Sequence, residues 1–169
     1  MGVINVGAAA QNRASYRPAT VTYINCAAAA NASGYLDTVK VYMNADATGL
    51  KVGVFYLVSP LRYTTRSYAS LGDALGGGVR TFTGLNLAIV VGDLIGIYFA
   101  AGRIESDTSG GAGVDYKAGD QIPCANALFA SYTANVQSFN GSGVYPEAVP
   151  GPLVAVHRAI PPMGVVRLG

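Results

Sequence analysis

Hydrophobic and polar residues alternate along much of the chain, as they do in β-strands that bury one face. In residues 38–43, Val39, Val41 and Met43 share one face, and the residues between them share the other. The turn-forming residues 47–49 end this segment and separate it from the next one. The alternation therefore predicts short strands joined by turns.

A second clear example is residues 51–58, in which Val52, Val54, Tyr56 and Val58 share one face. A helical period is nearly absent from the sequence, while 22 glycines are available for turns. This combination predicts an all-β fold, specifically an antiparallel β-sandwich or jelly roll. Further strands are predicted at 20–26, 62–70, 79–83, 85–91, 94–100, 113–117 and 128–139.

The C-terminal part of the sequence differs from the rest because five of the eight prolines follow Gly143. Proline lacks an amide hydrogen, so residues 144–169 cannot form a central strand throughout. We expect a β-sandwich over residues 1–143, in which 1–17 is a candidate N-terminal arm, and an extended arm over 144–169. The apolar residues assigned to assembly are Pro146, Leu153, Val154, Val156, Ile160, Met163, Val165 and Leu168.

This arm must bury its apolar side chains against some surface. It is either a last strand that folds back on its own sandwich or an arm laid across a neighbouring subunit. We expect the neighbouring subunit, because the preceding strands already suffice for a complete sandwich.

The composition favours contact with other subunits and excludes some partners. Only 12% of the residues are charged, 51% are hydrophobic and the mean hydropathy is +0.34. With so few charges, either Ser, Thr, Asn and Gly cover the outside or another subunit covers part of it, and we expect a mixture of both. The net charge of +2 comes from scattered basic residues, so we expect no nucleic-acid partner. The longest apolar run, 85–101, is interrupted by Gly92 and Asp93, and we expect no membrane partner.

The inventory of reactive side chains argues against catalysis. His157 is the single histidine, and no G-x-S-x-G sequence provides a nucleophile turn. Cys26 and Cys124 are too few for a zinc site with one histidine. We therefore expect no enzyme activity and no cofactor, and the sequence leaves open whether the two cysteines form a disulfide.

The most polar region lies around a glycine-rich loop, where Asp107, Asp115 and Asp120 follow Glu105. Carboxylates suit calcium, and such a loop could also bind a sugar. Aspartate is equally an ordinary turn residue, and the order of a known calcium loop is missing. The three aspartates are therefore candidate metal ligands only. The tyrosines that we expect to be exposed are Tyr16, Tyr63, Tyr68 and Tyr132.

Several segments together resemble a known group of domains. They are NASGYLDTVKVY (31–42), TGLKVGVFY (48–56), FTGL (82–85), VGDLIGIYF (91–99), DTSGGAG (107–113) and GDQIP (119–123). Over about residues 3–143 the chain resembles β-sandwich domains of tailed-phage and environmental viral proteins, most of which have no assigned activity. The resemblance implies a virion structural or accessory domain, such as a capsid decoration or tail component, without catalytic residues. The proline-rich arm is not part of that pattern.

We therefore expect a non-enzymatic virion protein on the exterior of the particle. It would form a homo-oligomer, such as a trimer, and contact other virion proteins such as a major capsid protein. One alternative is a carbohydrate-binding module that uses the 107–120 loop and exposed tyrosines to bind a glycan. Another is a self-polymerising extracellular filament subunit that uses the same arm.

Overall fold

A computed structural model describes residues 1–145, and the arm residues predicted to mediate assembly, from Pro146 to Leu168, lie outside this part of the chain. The described chain is all-β and antiparallel, as the alternating pattern predicts. No helix in this part is long and apolar enough to span a membrane. The strands are β1 (Gly2–Gly7), β2 (Ser15–Pro18), β3 (Val21–Asn25), β4 (Gly34–Ser59), β5 (Arg62–Ala74), β6 (Gly78–Phe82), β7 (Leu87–Ile89), β8 (Leu94–Tyr98), β9 (Ala101–Asp107), β10 (Val114–Ala118), β11 (Ala127–Leu128), β12 (Ala130–Tyr132), β13 (Val136–Gln137) and β14 (Phe139–Tyr145).

The long strand β4 organises the fold. One side of it pairs in turn with β14, β9 and β8, and the other side pairs with β7, β6 and β5. The turn predicted at 47–49 is wrong, because β4 continues through these residues. Register shifts fall between Met43 and Leu50, and Gly49 has a φ of +61°. The glycine therefore accommodates a bulge where the strand changes partners.

The main core contains residues from both halves of β4. Val39, Val41 and Met43 are fully buried, which confirms the predicted inward face of the first half. Val52 and Val54 of the second half belong to the same cluster. The predicted face of 51–58 is wrong at its end, where Tyr56 and Val58 are exposed. Strand β8 pairs only with residues 51–55, so the later residues lie beyond its cover.

A second cluster of buried side chains includes Phe55, whose side chain points away from the main core. Gly53 and Gly96 pair across β4 and β8 beneath its ring. A Cβ atom at Gly96 would lie 2.6 Å from Phe55 Cε2 and 2.9 Å from the carbonyl oxygen of Tyr23. The two glycines therefore provide the space that the phenylalanine ring occupies. The cluster consists of Ile24, Phe55, Tyr63, Ile122 and Phe129.

The N-terminal residues belong to the folded body. Strand β1 pairs with β14 of the same chain from Gly2 to Gly7, and Ile4 and Val6 are buried in the main core. The Asn31 side chain occupies the other edge of β1. Its Oδ1 accepts a hydrogen bond from the backbone amide of Asn5 at 2.8 Å, and its Nδ2 donates to the Val3 carbonyl at 3.1 Å.

The single strand predicted at 128–139 is divided in the structure. Its residues contribute to four strands, β11 to β14, and these pair with five different neighbours: β5, β10, β9 and, for β14, both β1 and β4. Residues 133–135 lie in a turn between β12 and β13. Residues 133–135 include alanine and asparagine, which are depleted in strands, and the strands on either side of them pair with different partners.

Candidate functional site

Each candidate metal ligand has its own protein partners. Asp107 accepts hydrogen bonds from the Arg13 guanidinium and the Ala14 amide, both at 2.9 Å. The Ala14 amide, followed by Arg13, lowers the pKa of Asp107 below its usual value. Asp120 pairs with Lys51 and accepts a hydrogen bond from the Ile122 amide.

Asp115 lies in a different environment, where it is buried and accepts a hydrogen bond from the Tyr63 hydroxyl at 2.5 Å. The structure therefore does not bring the three aspartates together. Among residues 1–145, no group of three or more His, Cys, Asp or Glu side chains is placed to hold a metal ion.

Glu105, which belongs to the same polar region, is a buried carboxylate with a structural role. This carboxylate is 2% exposed, and it accepts hydrogen bonds from the Arg13 amide at 2.9 Å and from the Asn44 side chain. The Arg13 side chain also donates to Ser138 Oγ at 2.7 Å. Since Arg13 lies in the segment between β1 and β2, these bonds hold that segment against β9.

Cys26, Tyr63 and Asp115 form a cluster of titratable groups. Burial, and then the Asp115 carboxylate, raises the pKa of the Cys26 thiol to about 11. Burial and the hydrogen bond to Asp115 also raise the pKa of Tyr63. A reactive cysteine needs a lowered pKa, so Cys26 has the properties of a protonated structural thiol. Tyr63 is buried, and the expectation that it would be exposed is wrong.

The raised pKa of Cys26 leads to an expected dependence of stability on pH. From pH 9 to 11 the folded chain retains the thiol proton, while the unfolded chain, with an ordinary pKa near 9, releases it. The contribution of the protonated Cys26 thiol to the free energy of unfolding is therefore complete below pH 9 and is lost as the pH rises towards 11. We expect the free energy of unfolding, measured in urea, to fall more steeply over this window in the native chain than in Cys26→Ala.

Tyr23 is a second group with a raised pKa, since burial raises it to about 12. Because Tyr23 is present in both chains, its contribution cancels when the two slopes are compared. Equal slopes would contradict the assignment to Cys26.

The structure also resolves the question of the cysteine pair. Cys26 and Cys124 are both free thiols. Cys124 lies near the backbone of Tyr63, where its Sγ is 3.7 Å from the Tyr63 carbonyl and 3.7 Å from Thr65 Oγ1. The disulfide that the sequence left open is therefore not formed.

Two tyrosines form an aromatic stack beside a groove. The rings of Tyr116 and Tyr132 are parallel, with centroids 4.1 Å apart, and the Arg17 guanidinium lies 4.4 Å from the Tyr132 centroid. Tyr132 is thus covered on both faces. The stack could not be predicted from the sequence, because its residues come from three strands. A groove of about 310 Å³ next to it is lined by Tyr116, Lys117, Ala118, Leu128, Phe129 and Ala130.

A row of exposed apolar side chains crosses three neighbouring strands where β14 ends. Val144 pairs with Val3 of β1 on one side and with Tyr35 of β4 on the other. Directly paired residues point to the same face of a sheet, so the three side chains are neighbours. Sequence analysis missed this apolar row because each member is a single apolar residue in a different part of the chain.

The predicted exposure of the tyrosines is confirmed for two of the remaining three. Tyr16 and Tyr68 are exposed, as predicted, while Tyr132 is half-buried in its stack. His157 and the assembly residues lie outside the described part of the chain.

Comparison with known proteins adds no relative. No family model, no curated protein and no solved structure matches the chain.

Proposed function

We propose that this chain is a non-enzymatic virion protein that acts by assembling with copies of itself and with other virion proteins. Its role would be that of a capsid decoration or a capsid or tail accessory component on the exterior of the particle. The virion assignment is supported by the resemblance to phage and environmental viral domains. The assembly mechanism is supported by the structure around Tyr145, described next.

The observation that carries the assembly mechanism is the position of β14. This strand is paired on both edges, with β1 on one side and β4 on the other. Residues that follow Tyr145 therefore cannot fold back and pair with β14, because both of its edges are occupied. Residues 146–169 contain many aliphatic side chains and few charges, so they need a partner surface to cover them. A neighbouring subunit provides such a surface.

The proposal includes a β-sandwich as the folded body. The first half of β4 pairs with β14, and the second half pairs with β8. A Cβ atom at Gly141 of β14 would lie 3.0 Å from the Ile95 side chain of β8, so the inner faces of the two halves meet. Two stacked sheets that share strand β4 would account for a single main core with residues from both halves of β4.

The experiment is a measurement of molar mass in solution by light scattering. It compares residues 1–169 with a chain that ends at Tyr145, the last residue of β14. We expect the full chain to be a closed oligomer, such as a trimer, and the shortened chain to be a monomer with an unchanged β-type circular dichroism spectrum. An unfolded shortened chain would instead place residues 146–169 in the chain's own core and contradict the proposal.

The same measurement separates the alternative functions. A filament subunit would give a mass that keeps rising with concentration, because head-to-tail contacts that do not close have no fixed size. A full chain that stays monomeric at all concentrations would contradict assembly and favour the carbohydrate-binding alternative. The observation that supports that alternative is the Tyr116–Tyr132 stack beside its groove.

A further inference from the structure

The apolar row of Val3, Val144 and Tyr35 consists of adjacent apolar residues that are each more than half exposed. The three residues are 57%, 54% and 55% exposed, and they occupy matched positions on β1, β14 and β4. Scattered single apolar residues are normal on a protein surface, whereas a contiguous group marks a contact site. The apolar row is therefore a candidate contact site.

A groove extends the apolar row on one side. Its volume is about 390 Å³, and Tyr35 and Val144 belong to both the row and the groove. This volume is sufficient for more than one aliphatic side chain. The groove is lined by Tyr35, Leu36, Asp37, Gly84, Asn86 and Val144.

We propose that the apolar row and its groove are the docking surface for residues 146–169 of a second copy of this chain. This inference rests on the proposed function, since it names the surface on which the arm assembles.

The chemistry of the arm suits this surface. Proline-rich segments tend to be extended, and they dock well on surfaces that contain aromatic side chains such as Tyr35. The charges of the arm also match, because Arg158 and Arg167 outnumber Glu147, while Asp37 is exposed at the groove. An arginine of the arm can therefore pair with Asp37 while neighbouring aliphatic side chains enter the groove.

Docking must take place on the face of the sheet. The outer edge of β1 is closed at this position, because the Asn31 side chain bonds the Val3 carbonyl and the Asn5 amide. A segment rich in proline also lacks the amide hydrogens that a strand added to an edge would need. The face, with its exposed side chains and groove, remains available.

The direction of the chain at Tyr145 favours a second copy as the source of the arm. Val144 immediately precedes Tyr145, so an arm that covered Val144 of its own chain would have to leave the sheet and then turn back towards it. Pro146 opposes a reversal at Tyr145 itself, because a residue that precedes proline favours extended backbone. Tyr145 is anchored as well, since its ring occupies the space beside Gly2, where a Cβ atom would lie 2.1 Å from the ring.

Photo-crosslinking in the full chain tests this inference. The crosslinking residue p-benzoylphenylalanine replaces Tyr35 in one variant and Tyr68 in a control variant, and these tyrosines are 55% and 51% exposed. Labelled and unlabelled (¹⁵N and ¹⁴N) chains are dissociated, mixed, reassembled and irradiated. We expect position 35 to crosslink to peptides from residues 146–169 in mixed-isotope pairs, and position 68 to give no such product.

Each other outcome has a definite meaning. Crosslinks from position 35 to the arm within one isotope only would overturn the second copy as the source of the arm. Crosslinks to other regions only, in a full chain that still forms an oligomer, would overturn the docking surface and leave the proposed function intact. A monomeric full chain would overturn the proposed function itself, whatever the crosslinks.

A substitution experiment gives an independent readout. The variant Val3→Thr/Tyr35→Ser/Val144→Thr removes the apolar row. The control Val58→Thr/Tyr68→Ser/Val91→Thr changes the same residue types at positions that are 50%, 51% and 60% exposed. We expect the first variant to associate at least about tenfold more weakly than the native chain, and the control to be unchanged. Thermal unfolding checks that both variants are folded. If both are folded and associate with equal strength, the inference is overturned.

Discussion

Replacing Phe55 with alanine is expected to lower the free energy of unfolding by about 3–5 kcal/mol. The phenylalanine is fully buried, and its ring packs edge-on against Phe129 with centroids 6.3 Å apart. It also lies over Gly53 and Gly96, which have no side chains of their own to fill the space that it would leave. Denaturation in urea, followed by circular dichroism, measures the loss. Leu57→Ala is the matched control, because Leu57 is exposed, and it should change stability by no more than about 0.5 kcal/mol.

The glycines beneath Phe55 allow a sharper form of the same test. Gly96→Ala in the native chain should cost roughly 1–3 kcal/mol, because the new Cβ atom would overlap with the ring. In the Phe55→Ala background this cost should decrease, since the ring is gone and only the Tyr23 carbonyl remains close. Additive effects of the two substitutions would show that the ring does not occupy the space above Gly96.

Glu105→Ala is expected to destabilise the chain by roughly 2–4 kcal/mol, because it removes two hydrogen bonds to a buried carboxylate. The Arg13 amide would lose its acceptor, and the segment between β1 and β2 would detach more easily from β9. Urea denaturation measures the loss of stability. Limited trypsin digestion gives a second readout, since the Arg13 side chain is only 8% exposed and cleavage after it should become faster.

The conservative variant Glu105→Gln controls for shape. Its amide oxygen can still accept the bond from the Arg13 amide, and the Asn44 side chain can rotate to accept from the new NH₂ group. We therefore expect Gln to lose much less stability than Ala, with little change in the rate of trypsin cleavage. If both variants behaved like the native chain, Glu105 would not be the group that holds this segment.

The strand pattern was predicted well where strands alternate. Residues 38–43, 62–70 and 94–100 all lie mainly in strands, and the inward positions of the first were identified correctly. Strand β9 was missed because Glu105 and Ser106, which are polar, occupy buried positions in it. Their burial depends on hydrogen bonds from distant segments, such as the Arg13 bond to Glu105, and local alternation contains no information about them.

The candidate site was predicted less well than the fold. Asp107, Asp115 and Asp120 are near each other in sequence, but turns and strands direct them to different partners. Tyr63 was expected to be exposed, yet its hydroxyl bonds buried Asp115. Closeness in sequence says little about closeness in space when the chain consists of strands, because neighbouring side chains point to opposite faces.

The sequence by itself determined that this protein is all-β, that Val39, Val41 and Met43 face inward, and that proline interrupts the pattern after Gly143. These properties depend on side-chain period and backbone propensity, which act over a few residues. Only the tertiary structure decided that β4 continues through residues 47–49 and that Val3, Val144 and Tyr35 become neighbours. Such contacts join distant parts of the chain, and they are selected by the packing of the whole core.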